Sequence, residues 1–141
     1  MKTLYVAGAF PDRSQRYPFY PPWEYPKFAM ETYQRIDDWC RERRIRALLP
    51  RDSRQWQDMK SAEFAKKVRT LIDESTHVLI ALVNDSAAVG VEAGYASQGE
   101  KHVAVWYPRW MEPSRILDSI STVAPGKLEE PIEAALNRLL E

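Results

Sequence analysis

The longest unbroken apolar run is HVLIALV, at residues 77–83. A short run of this kind, bounded by polar residues, predicts a strand buried on both faces. Residues 3–7 (TLYVA) predict a second such strand, followed by Gly8. Shorter runs at 45–49 (IRALL, stopped by Pro50) and 103–106 (VAVW) predict two more. Between the strands the apolar period lengthens to three or four. Residues 27–44 place Ala29, Tyr33, Ile36 and Cys40 on one helical face, and residues 59–75 do the same with Phe64, Ala65, Val68, Leu71 and Ile72. Residues 128–140 close the chain as an amphipathic helix with Leu128, Ile132, Leu136 and Leu139 inward. Residues 84–90 read as a turn and 91–98 as a short helix ended by Gly99. A further short helix over 113–120 has proline in its first turn.

Strands alternating with helices predict an α/β fold, a flavodoxin/Rossmann-like parallel sheet of four to five strands with helices on both faces. Residues 1–141 read as a single domain. Such sheets bind ligands beyond the carboxyl ends of their strands, where strand order reverses. If the first and third strands are neighbours, the loops after them meet. Tyr5, Gly8, Phe10, Ser86 and Glu92 then surround one crevice. Residues 11–26 (PDRSQRYPFYPPWEYP) contain five prolines among aromatic residues, which excludes a regular helix or central strand. This segment reads as a long loop, a candidate lid over the crevice or a surface that meets a partner.

Composition narrows the function classes. Twenty basic and twenty acidic residues cancel, which argues against a nucleic-acid polymer or a membrane surface as partner. The single Cys40 makes no internal disulfide and fits a reducing, cytoplasmic setting. One cysteine and two histidines far apart in sequence, His77 and His102, argue against a metal site. No cofactor is expected. No apolar run approaches the roughly 20 residues that span a bilayer.

Candidate chemistry centres on the stretch VGVEAGYA, residues 89–96, where Glu92 is the only charge. Read as a residue near a helix start, Glu92 either complements the helix dipole or serves as a nucleophile or base in the crevice. Ser86 either caps a turn or, with nearby amides, binds a phosphate. Tyr5 either packs as a core tyrosine or gives its hydroxyl to Glu92.

LYVAGAF (residues 4–10) and GVEAGYASQGEKHVAVW (residues 90–106) resemble two signatures of the nucleoside 2-deoxyribosyltransferase superfamily. The resemblance implies that Glu92 is the nucleophile attacking C1′ of the sugar and that Tyr5 orients it. Six residues before Glu92 the chain carries Ser86, similar to the 2′-deoxynucleoside 5′-phosphate N-hydrolase branch, where that serine contacts the phosphate. Gly8, Ala9, Phe10 and Gly90 fall at substrate-binding positions. The chain departs from the pattern at Ala9, where the hydrolase branch has a serine, and at Arg69, where both branches have an aspartate near the base. Asp73 lies one helical turn after Arg69 and is the candidate replacement acid; Arg69 itself suits an anionic ligand.

These readings imply an N-glycosidase acting on a small-molecule nucleoside or nucleoside 5′-monophosphate, with hydrolysis preferred to base transfer. A deoxyribosyltransferase, a nucleotide-binding or sensing protein without turnover, and a protein-interaction module remain open. The resemblance also implies a homodimer or higher homo-oligomer, with the segment around Ser119 reaching a neighbour's site.

Overall fold

The computed structural model describes residues 1–8, 25–50, 52, 59–83, 87–108, 113–123 and 130–141. The elements run β1 (Thr3–Gly8), α1 (Tyr25–Glu42), β2 (Arg46–Leu48), α2 (Ser61–Glu74), β3 (His77–Ala81), α3 (Ala87–Ala96), β4 (His102–Trp106), α4 (Arg115–Ser119) and α5 (Ile132–Leu140). Four parallel strands pair in the order β2-β1-β3-β4. This is the α/β architecture expected. β1 and β3 are neighbours, with Tyr5 beside Val78 and Gly8 beside Ala81. The chain leaves β1 toward one edge of the sheet and β3 toward the other, so the topological switch lies between them.

Alternation along β1 sorts its side chains between two apolar layers. Leu4 and Val6 face α1 and α5, packing with Tyr33, Ile36, Cys40 and Leu136; Tyr5 and Ala7 face α2 and α3, packing with Ile72, Val89 and Ala93. β3 is buried along its whole length, as a central parallel strand should be. The α1 stripe of Ala29, Tyr33, Ile36 and Cys40 is fully buried. The α2 stripe is buried at Leu71 and Ile72, whereas Ala65 is exposed because α2 covers the sheet only toward its end. Burial also pushes the free Cys40 thiol up to about 11, with the nearby Asp37 charge adding to the effect. Salt bridges join α1 to α5 at the surface, with Arg35 donating to both carboxylate oxygens of Glu133 at 2.7 and 2.5 Å.

Helix ends depart most from the sequence reading. α1 starts at Tyr25, inside the stretch read as loop, and stops at Glu42. Arg44 then adopts φ 57, and the amides of Arg44 and Ile45 reach back to the carbonyls of Arg41 and Cys40. That is a Schellman stop, and a side chain at its left-handed position costs about 1 kcal/mol relative to glycine. α3 starts at Ala87, not at residue 91. Burying Val89 and Ala93 outweighs the roughly 1 kcal/mol that Gly90 costs inside a helix. α5 begins at Ile132, and the expected inward Leu128 lies outside the described residues. Most of the proline-rich loop, residues 9–24, lies outside them too, and with it the lid reading. Among the described residues no helix is long and apolar enough to cross a membrane.

Candidate active site

On the α2/α3 face beside the β1/β3 switch, the fold pairs a carboxylate with a phenol. Tyr5 projects from the middle of β1 onto the α2/α3 face and is 8% exposed. Glu92 projects from α3 between the buried turns of Val89, Ala93 and Ala96, and is itself partly buried. The Tyr5 hydroxyl donates a hydrogen bond to the Glu92 carboxylate. Burial, the Glu92 charge and this hydrogen bond push the Tyr5 phenol well above its usual range, so it remains a donor throughout the accessible pH range. Burial pushes the Glu92 carboxyl up to about 7, against the opposing pull of the Tyr5 hydrogen bond.

This placement changes the physical account of Glu92. It is the sixth residue of α3 rather than a residue at its start. The helix dipole fades beyond the first turn, so it contributes little here. The carboxylate is held in a poorly solvated place by the fold and steadied by one phenol. A poorly solvated carboxylate with a single phenol partner is a candidate for catalytic work.

The hydrogen bond has a measurable consequence. Tyr5→Phe removes the contact that lowers the Glu92 titration, so Glu92 should titrate higher than about 7. A hydrogen bond to a charged group is worth about 1.5–3 kcal/mol, equivalent to about 1–2 pH units. Carbon-detected NMR of glutamate side chains in both proteins measures this. A Glu92 midpoint unmoved by Tyr5→Phe would refute the pairing.

The other candidates fall elsewhere. Both carboxylate oxygens of Asp73 accept from the Tyr95 hydroxyl, at 3.0 and 2.9 Å, and this contact raises the Tyr95 titration. Tyr95 stands one turn beyond Glu92 on α3. Parallel connections make α2 and α3 both run back from the carboxyl edge of the sheet, so Asp73, at the end of α2, lies toward the amino edge. Arg69, one turn earlier on α2, stands about 6 Å nearer the carboxyl edge by helix rise. Its charge reaches Tyr95 as well. Arg69 is thus nearer the level of Glu92 than Asp73 is.

Gly90 is an exposed helical residue with open space where a Cβ would stand. Gly8 is crowded: a Cβ there would lie 2.5 Å from the Tyr33 hydroxyl. Ser119 is exposed on α4 and donates to the Ile116 carbonyl at 2.5 Å. Ala9, Phe10 and Ser86 lie outside the described residues.

Sequence reasoning missed three constellations. Tyr95 with Asp73 was signalled only by a tyrosine one turn after Glu92. Tyr107, at the end of β4, donates to Asp118 at 2.7 Å and accepts from the Ser114 amide at 3.0 Å, which ties α4 to the sheet; burial, then this carboxylate, pushes Tyr107 up to about 12. His77 and His102, distant in sequence, are register partners on β3 and β4 and stack with ring centroids 4.9 Å apart. The shared opening of HVLIA and HVAVW was the available signal. Two histidines alone do not make a metal centre, and among the described residues no group of three or more His, Cys, Asp or Glu could hold an ion.

No protein-family model matches the chain, and no curated protein matches it. Among solved structures it is similar to the CMP N-glycosidase BcmB of Clostridium botulinum, with a TM-score of 0.65 and 14% identity over 96% of this chain and 97% of that one. At that identity the likeness establishes a shared fold over nearly the whole of both chains.

Proposed function

We propose that the chain cleaves the N-glycosidic bond of a nucleoside or nucleoside 5′-monophosphate, with Glu92 as nucleophile and water as final acceptor. The observation that carries this reading is the partly buried Glu92 carboxylate held by the Tyr5 hydroxyl on the strands of the topological switch. The similar structure is a glycosidase of a nucleoside monophosphate, which supports the same bond and substrate class. Ser86 supports a phosphate contact, as in the hydrolase branch that the sequence resembles.

In the first step an Oε of ionised Glu92 forms a bond to C1′, and the C1′–N bond breaks with its electron pair leaving on the base, which takes up a proton. In the second step water attacks C1′, the glycosyl ester breaks, and Glu92 recovers its carboxylate while the water's proton is released. Tyr5 orients the carboxylate in both. The test is release of free base from a panel of nucleosides and their 5′-monophosphates, with and without an added acceptor base. Hydrolysis gives free base with free sugar from a nucleoside, or with the sugar 5-phosphate from a monophosphate. A new nucleoside formed only with the acceptor would make the chain a deoxyribosyltransferase.

One observation favours a second reading. Asp73, the candidate acid for the leaving base, is occupied by Tyr95. A protein that binds nucleotides without turnover would show saturable binding and no base release on the same panel.

The proposed assembly is a homo-oligomer. α3 is apolar all round its circumference apart from Glu92, a pattern normal for a helix covered on every side. Yet Ala88, Gly90, Val91 and Gly94 are exposed, Val91 at 73%. A second copy over this face explains the composition. Light scattering should then find a dimer or larger species, and Val91→Lys should dissociate it at least tenfold more readily, since one buried charge costs more than about 1.4 kcal/mol. A monomeric parent protein would sink the idea.

A further inference from the structure

The amino edge of the sheet, opposite the carboxyl edge, holds a cleft of ≈ 470 Å³ lined by Lys2, Thr76, His77, Glu100, Lys101 and His102 among others. Among the described residues Glu100 is the only acid lining it, against two lysines and two histidines. Both ammonium groups are already positioned. The Lys101 Nζ donates to the Asp73 and Ser75 carbonyls at 2.9 and 2.6 Å, at the end of α2. The Lys2 Nζ donates to the Leu140 carbonyl, at the end of α5. An ammonium has three protons, so each lysine keeps at least one for a ligand.

The histidine pair adds a variable charge. His77 is 8% exposed and stacks on the exposed His102. The Thr76 Oγ1 lies 2.7 Å from His77 Nδ1, 3.2 Å from the Thr3 carbonyl and 3.0 Å from the Thr3 amide, which donates to it. That hydroxyl serves both states of the ring. With His77 neutral it gives its proton to Nδ1. With His77 protonated it accepts from Nδ1 and turns its own proton to the Thr3 carbonyl. The local hydrogen bonding therefore tolerates a charged His77; what opposes that charge is burial first, then His102 and Lys2. An anion in the cleft would offset the repulsion from those neighbours.

We propose that this cleft is a second ligand site, separate from the Glu92 crevice, which takes a small tetrahedral anion of the phosphate-monoester class and takes up protons on the His77–His102 pair as it does so. The charged groups lining the cleft beside the pair are the Met1 amino group and Lys2 before β1, and Glu100 and Lys101 before β4. Linkage fixes the sign: if the anion promotes protonation of the pair, acid must tighten the anion. This site does not rest on the glycosidase reading, because it is read by spectroscopy rather than by turnover.

The experiment titrates the full chain with inorganic sulfate, whose charge is constant over the range, while following the histidine ring carbons and protons by NMR. Repeats with glycerol phosphate and with acetate test the anion class. Saturable shifts at both rings are expected, with binding roughly tenfold tighter at about pH 6 than at about pH 8. Glycerol phosphate should compete with sulfate, and acetate should not. The exposed variant His102→Gln should reduce the pH dependence by removing one of the two titrating rings, and Lys2→Gln should weaken binding several-fold, both with unchanged circular dichroism. Ring signals that do not saturate, affinity equal at the two pH values, or unchanged behaviour in His102→Gln would each overturn the proposal.

Discussion

Glu92→Gln is expected to abolish base release and, above neutral pH, to make the protein more stable. Both effects trace to one carboxylate, the first to its loss as nucleophile and the second to its poorly solvated position. Removing the nucleophile should cost roughly 10³-fold or more in rate, because glutamine neither traps nor neutralises the developing sugar cation. The stability effect follows from linkage. Glu92 titrates near its ordinary value of 4.5 in the unfolded chain and at about 7 in the fold. Between those values the native state holds a proton that the unfolded state has released, so stability from this group falls as pH rises through the window. The penalty is absent near pH 4 and complete above about pH 8, where it amounts to about 3 kcal/mol. The substituted glutamine would carry none of it and still accept from Tyr5 through its carbonyl oxygen. Thermal unfolding should therefore show the variant roughly 5–10 °C above the parent at pH 8, converging at pH 4. A difference independent of pH would refute the buried, uncompensated carboxylate. Base release surviving in the variant would refute its role as nucleophile while leaving the electrostatics intact.

The architecture was legible because the apolar runs at residues 3–7 and 77–83 are too uniform for anything but strands buried on both faces. The pairing of β1 with β3 entered the sequence reading only as a condition; strand register meets it, and Tyr5 then faces α3 where Glu92 stands. Boundaries were less legible, since Gly90 inside α3 reads locally as a turn residue and only the burial of Val89 and Ala93 reveals a helix. The contacts that sequence left unseen are those set by register between strands and by helix depth. His77 meets His102, and Asp73 meets Tyr95, because of where whole elements stop. No periodicity within one element encodes that.

Gly8→Ala should destabilise the fold by about 2–3 kcal/mol, an overpacking cost, and Tyr33→Phe should recover part of the loss. Glycine after a first strand reads as room for a ligand or as freedom for a turn. Backbone freedom does not account for it here, because no described glycine has a positive φ. The constraint is steric. A Cβ at this position would sit 2.5 Å from the Tyr33 hydroxyl, and 3.2 Å from both the Tyr33 ring and the Ala81 carbonyl. Tyr33 is fully buried on α1 among Leu4, Ile36 and Cys40, so its ring has little room to retreat. The carbonyl belongs to β3, the strand that pairs with β1, and moving it would disturb the switch where the site is built. Removing the Tyr33 hydroxyl relieves the shortest contact and leaves the two at 3.2 Å, so recovery should be incomplete. A double-mutant cycle measured by denaturant unfolding separates this account from the ligand account. Steric coupling predicts that the double variant is more stable than the sum of the single losses by about 1 kcal/mol or more. If Gly8 serves only a ligand, Gly8→Ala would unfold within about 0.5 kcal/mol of the parent and lose nucleotide affinity alone.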